Sequence, residues 1–373
     1  MKRVLSFLLA GCLALTLAAC GKKPVEDTTG ETTAATTAAT TQPTTEATTQ
    51  ATEPVTTAPP EVVYRNPLNG EKLEEPWSGR ATAVVINNIK AAQPQYGVSE
   101  ADMLYEIETE GGITRCLAIF HDLEGVGKIG PVRSARTFFN NVAVSYDAPL
   151  VHCGGSGAAL NAQYDDSGAQ ISNWQHINEM YNGSYFFRDL DRYNNQGYSW
   201  EHTLFTNGEN LVKALDDNGY APDGSSQPDY GLQFDEEAAL NGDAAAKVTV
   251  KFRGGKTTTM TYNADTGLYE AAQYGQAYKD AGNGELMTFR NVLVLYAEQW
   301  SVYDGTYNRS FYDLIGTGDG CLAMGGKVVP IKWVRENLND PFTYTLADGT
   351  PVTLGVGTSY VGVVPPSSPV SCE

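Results

Sequence analysis

The chain has 373 residues and a formal net charge of −19, from 44 acidic and 25 basic side chains. This balance argues against nucleic acid as a partner, and against general adsorption to anionic lipid or wall polymer. An anion-binding site on such a chain would have to be a local cluster of cations within a negative field.

The first 20 residues have the pattern of a secretory signal that ends in a lipid-attachment site. A basic start, MKR, precedes an apolar run from Val4 to Leu17, which is shorter than the roughly 20 residues that a membrane span needs. The run leads into LAAC, which is typical of a bacterial lipobox. We expect Cys20 to be lipidated and to anchor an extracytoplasmic protein to the cell membrane; the alternative is an ordinary signal peptide with a chance cysteine.

Residues 21–60 have the composition of a tether. Half of the residues from Thr28 to Thr57 are threonine, and Val55 is the only large aliphatic residue among them. Such a segment buries too little apolar surface to offset the entropy of ordering it. We therefore expect a disordered, Thr-rich tether between the membrane and the folded part, which begins at residue 61.

The folded part, residues 61–373, is long enough for two ordinary domains. Its first section, residues 61–220, mixes strand signals such as ATAVVINN with helix signals. A stretch rich in Gly, Pro and Ser then marks a candidate linker. The second section, residues 221–373, repeats hairpin-like runs such as KVTVKFRGGKTTTMTYN, which predict a β-rich domain.

The most regular pattern in the chain spans residues 103–120. Apolar and polar residues alternate on both sides of Gly111-Gly112, which predicts a hairpin with a two-residue turn. In that register, one face carries a candidate acidic cluster with a single arginine: Glu106, Glu108, Glu110 and, opposite Glu108, Arg115. Like charges two residues apart on a strand require compensation from another cation or from water.

Two arginines stand at the entry of a predicted helix in GPVRSARTFFNN, whose cap would be Ser134 or Thr137. The unpaired N–H groups at a helix start already make it positive, so Arg133 and Arg136 there require an anion. Two interpretations stay open. The arginines either pair with Glu106 and Glu110 in a structural cluster, or they bind an external phosphate or carboxylate.

A glycine-rich unit, PLVHCGGSGAALNAQ, runs from a predicted strand into a predicted helix. Glycines let backbone amides approach a ligand closely, and the helix start favours anions. His152 at the strand end is a candidate base or ligand, and a hydrogen-bonded structural histidine is the alternative. Strand ends and helix starts meet at one rim in layered α/β arrangements. The predicted ligand pocket therefore joins Asn88, Arg133, Arg136, His152, Gly154, Gly155 and Ser156.

The cysteines beyond Cys20 follow no metal-binding pattern, since no Cys-x-x-Cys pair occurs and the histidines lack ligand spacing. We therefore predict no metal site and no resident cofactor. Cys372 has little other reason to stand in the tail SSPVSCE. We predict that it forms a disulfide with Cys321, which would tie the tail to the second section.

The order AVVINN…AQPQYGVSEADMLYEIETEGGITRCLAIFH…IGPVRSARTFF…VHCGGS resembles the YerB-like family of bacterial lipoproteins. The resemblance extends from about Asn66 to the C-terminus. It implies an α+β fold, with a layered α/β N-terminal domain of mixed sheet and helices and a β-rich C-terminal domain. It implies no reaction. The family tends to have Phe and Ala where this chain has Cys116 and Cys153.

Two functional hypotheses remain, one without and one with catalysis. The favoured one is a membrane-anchored lipoprotein that binds an anionic envelope ligand or a protein partner, with no nucleic acid involved. The other is an enzyme on phosphorylated cell-wall or lipid-linked glycan precursors. It would use Arg133 and Arg136 as phosphate clamps and the acidic face, Glu106 to Glu110, as a base or as Mg²⁺ ligands.

Overall fold

The structure, a computed structural model, describes residues 62–160, 175–222 and 228–373. These residues belong to one unit, Glu61–Glu373, which is separate from residues 1–60. The expected lipidation of Cys20 and the expected tether lie outside the described residues. Among the described residues, no helix has both the length and the apolar character that crossing a bilayer requires.

Helices in the described ranges are few and short. They are α1 (Thr137–Ser145), α2 (Gly157–Leu160), α3 (Glu179–Asn182), α4 (Leu190–Asn194) and α5 (Gly208–Asp217). Single 3₁₀ turns occur at Lys90–Ala92, Glu110–Gly112, Gly183–Tyr185, Trp200–His202 and Arg253–Gly255. The N-cap of α1 is Arg136, not Ser134 or Thr137 as predicted, and its side chain makes no capping hydrogen bond.

Strands make up most of the regular structure. In the first section they are β1 (Tyr64–Arg65), β2 (Lys72–Leu73), β3 (Thr82–Asn87), β4 (Met103–Glu108), β5 (Thr114–Phe120), β6 (Lys128–Ile129), β7 (Leu150–His152), β8 (His176–Asn178), β9 (Phe187–Arg188) and β10 (Leu204–Asn207). In the second section they are β11 (Gln233–Asp235), β12 (Asp243–Ala244), β13 (Lys247–Lys251), β14 (Thr257–Asn263), β15 (Leu268–Gln273), β16 (Gln276–Ala277), β17 (Thr288–Phe289), β18 (Asn291–Tyr296), β19 (Gln299–Tyr303), β20 (Asn308–Tyr312), β21 (Gly316–Met324), β22 (Lys327–Arg335), β23 (Thr343–Leu346), β24 (Thr353–Gly355), β25 (Ser359–Val364) and β26 (Val370–Cys372).

One mixed sheet of eleven strands contains strands from both sections of the chain. Its order is β12-β22-β21-β18-β25-β4-β5-β3-β7-β8, and β23 also pairs with β22. Strand β25, close to the C-terminus, lies between β4 and β18 and runs parallel to both. The α+β fold class is therefore confirmed, with few helices and a β-rich second part. The boundary at residues 220 and 221 stays a prediction.

Both faces of the sheet are buried along its middle strands β18, β25, β4, β5 and β3, which explains why these strands are mostly apolar, whereas β21 and β22 alternate between exposed and buried residues. On β3, Val85 contributes to the core that contains Phe138 and Phe139 of α1. The neighbouring residues Val84 and Ile86 contribute to a second core, with apolar residues of α5 and of β13, β14 and β15. Those three strands belong to a six-stranded sheet that β16, β17 and β26 complete.

The predicted two-residue turn at Gly111-Gly112 is wrong. The loop has three residues, Glu110–Gly112, and the N–H of Thr109 closes it by donating to the carbonyl oxygen of Ile113 at 2.7 Å. Gly111 and Gly112 both have φ near +70°, at +73° and +72°. This left-handed backbone suits glycine, and a three-residue loop of this kind is the next most common hairpin connection after the two-residue turn.

The longer loop shifts the register of the hairpin by one residue. Glu108 faces Thr114, and Arg115 faces Ile107. The predicted Glu108–Arg115 cross-strand pair therefore does not form. Since successive residues of a strand point to opposite faces, the shift places Arg115 on the face opposite the carboxylates. The cations that neutralise Glu106 and Glu108 must come from elsewhere.

Candidate functional site

Glu106 is a buried carboxylate whose hydrogen-bonding capacity is filled by the protein. It forms an ion pair with Lys256 of the turn between β13 and β14, and both side chains are almost fully buried. It also accepts hydrogen bonds from Asn88 Nδ2 at 2.8 Å, Thr114 Oγ1 at 2.7 Å, Thr258 Oγ1 at 2.7 Å and Tyr360 OH at 2.9 Å. Asn88 therefore belongs to this cluster and not to the predicted ligand pocket.

The charge of Glu106 is retained in spite of its burial. Burial alone would raise the pKa of Glu106, but the charge of Lys256 and hydrogen bonds from Lys256, Thr114 and Thr258 outweigh it and hold that pKa below its usual value. A charged, fully partnered carboxylate in this position joins the two sections of the chain. It leaves no lone pair in need of a ligand.

Glu108 receives its cation from the same turn of the second section. Its side chain has no exposed surface, and Arg253 donates to it twice, from the backbone N–H at 2.6 Å and from Nε at 2.5 Å. The two turns also touch through their backbones. A Cβ atom on Gly112 would lie 2.6 Å from the backbone nitrogen of Gly254, which is closer than atoms can approach. Glycine at position 112 therefore makes the contact possible.

Glu110 pairs with Arg136, which confirms one part of the structural interpretation. Arg136 Nε lies 2.7 and 2.9 Å from the two carboxylate oxygens, and Nη2 lies 2.8 Å from Oε2. Arg136 Nη1 also donates to the carbonyl oxygen of Ala135 at 2.7 Å. Burial raises the pKa of Glu110, but the hydrogen bonds and charge of Arg136 outweigh it and lower that pKa overall. The predicted pairing of an arginine with Glu106 is wrong, because Lys256 takes that place.

Arg115 is a buried cation that forms no ion pair with any of the described residues. Its side chain is buried, with 5% of the residue exposed. Nη1 donates to the carbonyl oxygen of Ser134 at 2.5 Å, and buried Nε has no hydrogen-bond partner among the described residues. Burial and the nearby charges of Arg136 and Arg133 lower the pKa of Arg115, against the opposing effect of Glu110. A buried, under-compensated guanidinium is energetically costly unless an anion joins it.

Arg133 lies at the surface side of this group of arginines. Its side chain is half-buried and forms an ion pair with the exposed carboxylate of Glu201. The nearby charge of Arg133 is one of the influences that lower the pKa of Arg115. We call Arg115, Arg133 and Arg136 the arginine cluster. It lies at the start of α1, where the first N–H groups of the helix have no intrahelical partner.

The glycine-rich loop lies alongside the arginine cluster, as the sequence predicted. The N–H of Ala135 donates to the carbonyl oxygen of Gly154 at 2.9 Å, and Ala135 forms a parallel bridge with Gly155. Ser156 is buried just before α2. Much of the backbone of this loop is hydrogen-bonded to the segment that carries Arg133 and Arg136. The loop therefore holds that segment in place.

His152 has the environment of a structural histidine. It is fully buried, and its Nδ1 and Nε2 lie 2.8 Å from the carbonyl oxygen of Gly154 and 3.0 Å from His176 Nδ1. Burial is the main cause that lowers the pKa of His152 to about 4. The imidazole is therefore neutral near pH 7 and holds the start of the glycine-rich loop. This geometry favours the hydrogen-bonded alternative for His152.

The carboxylates that the Mg²⁺ hypothesis requires are each engaged by a cation of the protein. Lys256, Arg253 and Arg136 hold Glu106, Glu108 and Glu110 respectively. Within the three described ranges, no group of three or more His, Cys, Asp or Glu side chains is arranged to hold a metal ion.

The Cys321–Cys372 disulfide stays a prediction, although the two side chains meet. Both are free thiols in this structure, and the neighbouring Cys372 and burial raise the pKa of Cys321. Cys321 belongs to the central sheet and Cys372 to the six-stranded sheet, so a bond between them would link the two layers. Cys153 instead contacts Glu179, with Sγ 3.2 Å from Oε2.

The sequence analysis missed Arg253 and Lys256, the two cations of the second section that neutralise buried carboxylates. The sequence does contain an indication that these two cations lie near the carboxylates. EGG at Glu110–Gly112 and RGG at Arg253–Gly255 are both loops of predicted hairpins, and their leading residues carry opposite charges. Opposite charges at the start of two similar turns could have suggested that the two turns lie in contact.

Comparisons with known proteins agree on one family. Residues 68–221 match the family described as "Protein of unknown function (DUF3048) N-terminal domain", and residues 248–361 match its C-terminal domain. The chain is 29% identical over 305 residues to "Putative lipoprotein YerB" of Bacillus subtilis, which covers 80% of this chain and 86% of that protein. The crystal structure of the B. subtilis YerB protein superposes with a TM-score of 0.68 at 26% identity, covering 82% of this chain and 99% of the other. The chain therefore belongs to the YerB-like family of lipoproteins.

Proposed function

We propose that this protein is a lipoprotein that Cys20 anchors to the outer side of the cell membrane, and that it binds an anionic group of an envelope ligand at the arginine cluster. The anchor rests on the lipobox-like sequence at Cys20 and on the likeness to a lipoprotein. The binding site rests on Arg115. Phosphate and carboxylate are the chemical groups that guanidinium nitrogens and a helix start bind best.

The single observation that carries the proposal is the missing counter-ion of Arg115. Among the described residues, Glu110 is the carboxylate that acts on Arg115, and it is already bound through three contacts by Arg136. One buried positive charge therefore remains in excess. An anion bound between the arginines would supply the missing charge and accept from the free Nε of Arg115. Thr137, the first residue of α1, also has a buried hydroxyl that finds no partner in the described part of the chain.

The overall charge of the protein makes such a site selective. A net charge of −19 repels anions from most of the surface. The protein surface as a whole therefore does not attract phosphate. Saturable anion binding would have to come from a local cluster of cations. Because Arg115 is buried, its interaction with an anion should be screened less by salt than that of an exposed arginine.

The test uses the full-length protein in detergent and calorimetric titration with inorganic phosphate and glucose 1-phosphate. We expect saturable binding by the wild type and loss of it in Arg115→Met. The melting temperature of this variant should stay unchanged or rise, because the substitution removes a buried, under-compensated charge and keeps much of the volume. A matched control is Lys332→Met, which makes the same change of net charge at an exposed ion pair with Asp319. It should bind as the wild type does.

Two results would contradict the proposed site. One is the absence of saturable binding of both probes to the wild type. The other is a strongly destabilised Arg115→Met variant with unchanged anion affinity, which would make Arg115 a structural residue. The anchor is tested separately, since Cys20→Ser should move the protein from the membrane fraction to the soluble fraction.

A further inference from the structure

A second polar site lies where three turns of the chain meet. A cleft of about 260 Å³ is lined by the Glu110–Gly112 turn, by Arg253 and Gly254, and by Ser301, Asn308 and Ser310 of the β19–β20 hairpin. Its lining includes Glu110 but not Arg115, Arg133 or Arg136. The close backbone contact of Gly112 with Gly254 fixes two of its walls relative to each other.

Three side chains of the hairpin that line this cleft have polar groups without a partner among the described residues, whereas the backbone N–H of Ser310 donates to Glu110 Oε1 at 3.4 Å. The side chains of Ser301, Asn308 and Ser310 form no hydrogen bond with any residue in the described ranges. Ser310 is nine-tenths buried, with 4% of the residue exposed. Unpaired donors and acceptors that line a cleft are available to bind the hydroxyl groups of a ligand.

Arg253 adds a fixed set of donors to the cleft. Its backbone N–H and its Nε are bound to Glu108, which holds the guanidinium in one orientation. The terminal nitrogens Nη1 and Nη2 have no partner in the part of the chain that the structure describes. Glu110 lines the same cleft and offers carboxylate oxygens. Guanidinium donors and carboxylate acceptors in one cleft suit hydroxyl groups, because each hydroxyl both donates and accepts.

An aromatic ring of the same hairpin lies next to the cleft, because Tyr303 is the cross-strand neighbour of Asn308, which lines it. Its register pairs Ser301 with Ser310 and Tyr303 with Asn308, so all four residues project from the same face. Tyr303 is 65% exposed, and its hydroxyl donates to the carbonyl oxygen of Gly305 at 2.9 Å. The ring is therefore held in place while its apolar surface stays available. Such an aromatic ring next to unused polar groups matches a ligand with apolar C–H faces and hydroxyl edges.

We propose that this cleft binds a carbohydrate, with a sugar ring packed against Tyr303 and its hydroxyls bound by Arg253, Ser301, Asn308 and Glu110. The lining of the cleft includes none of the three arginines of the arginine cluster, although Glu110 also binds Arg136, and the cleft requires no anionic group on the sugar. A glycan segment is therefore the ligand class for this cleft, whether or not the arginine cluster binds an anion.

The experiment titrates the full-length protein with three neutral tetrasaccharides, which are chitotetraose, cellotetraose and maltotetraose. The test variant is Tyr303→Ala, and Asn308→Ala removes a polar group from the same face. The matched control is Val302→Ala. Val302 is the next residue of the same strand, is 47% exposed and projects from the opposite face. Since the side chains of Tyr303 and Val302 are both exposed, Tyr303→Ala and Val302→Ala should keep the melting temperature of the wild type.

We expect saturable binding of at least one tetrasaccharide, weakened about tenfold or more by Tyr303→Ala and by Asn308→Ala, with no change in Val302→Ala. Neutral probes keep the result independent of the anion site, so Arg115→Met should bind them as the wild type does. The proposal is overturned if none of the three sugars binds at concentrations up to about 1 mM, or if Tyr303→Ala and Val302→Ala bind equally well.

Discussion

Glu106 and Arg115 are buried charges on neighbouring strands of one sheet, and the protein treats them in opposite ways. Glu106 has a lysine and four further hydrogen-bond donors around it. Arg115 has one carbonyl oxygen, three other arginines (Arg133, Arg136 and Arg309) and a carboxylate already bound by Arg136. Full compensation of a buried charge indicates a structural role. Incomplete compensation indicates a place where something is still to bind.

The largest expected effect on stability comes from removing the cation that neutralises Glu106. Lys256→Met leaves the buried carboxylate of Glu106 without its cation and should lower the free energy of unfolding by about 3–5 kcal/mol. Chemical denaturation of the two proteins at pH 7 measures the difference. The double variant Lys256→Met with Glu106→Gln carries no buried charge there and should recover most of the loss. A cost below about 1 kcal/mol for the single variant would show that Glu106 is not held by Lys256.

The Glu110–Arg136 pair should show an intermediate effect that depends on pH. Arg136→Ala removes charged hydrogen bonds from a half-buried carboxylate, which should cost about 1.5–3 kcal/mol at pH 7. The pKa of Glu110 is lowered in the folded state, so the pair stabilises the protein above the unfolded pKa of Glu110 and loses this contribution as the pH falls through the folded pKa. The stability difference between wild type and variant should therefore shrink on acidification below about pH 4. A difference that grows on acidification would contradict this assignment.

The junction of the two turns can be tested with a pair of glycines. Gly111 and Gly112 have the same left-handed backbone, but a Cβ on Gly111 meets nothing within 4 Å, whereas one on Gly112 meets the Arg253–Gly254 backbone at 2.6 Å. Alanine therefore adds the same backbone strain at both positions and a clash only at Gly112. We expect Gly112→Ala to cost about 1–3 kcal/mol more than Gly111→Ala in thermal or chemical unfolding. Equal costs would mean that the turns are free to separate.

The smallest effect should come from Arg133, the outermost member of the arginine cluster. Arg133→Ala breaks an ion pair with Glu201, which is exposed, and should change the free energy of unfolding by no more than about 1 kcal/mol. The small effect should shrink further in high salt, because exposed charges are screened. If Arg133→Ala destabilised the protein as much as Arg136→Ala, the distinction between the inner and outer arginines would be lost.

The local pattern of apolar and polar residues was enough to predict several of the strands. Alternation over residues 103–120 predicted the β4–β5 hairpin, and the apolar letters of ATAVVINN predicted β3, because side-chain periodicity follows directly from strand geometry. The register failed because Gly-Gly suits both a two-residue and a three-residue loop. The pairing of β25 with β4 connects residues more than 250 positions apart, and no periodicity within either strand can indicate such a pairing.

The candidate site was predictable in part for the same reason. Arg133, Arg136 and the glycine-rich loop belong to adjacent units of the chain, and the sequence placed them together correctly. Arg115 was assigned to the wrong face because one residue of register decides the face. Lys256 and Arg253 could not be assigned to Glu106 and Glu108, since their contact depends on how distant layers pack and not on local spacing.

The position of β25 in the central sheet has a consequence for the order in which the protein can fold. The strand that joins β4 to β18 lies more than 250 residues after β4, so the sheet stays divided until that strand has been synthesised. Until Ser359–Val364 arrives, the edges of both neighbouring strands stay open to pairing with other chains. Contacts between such distant segments also make folding slow. A transcript that ends early would therefore yield an aggregation-prone fragment rather than a functional first domain.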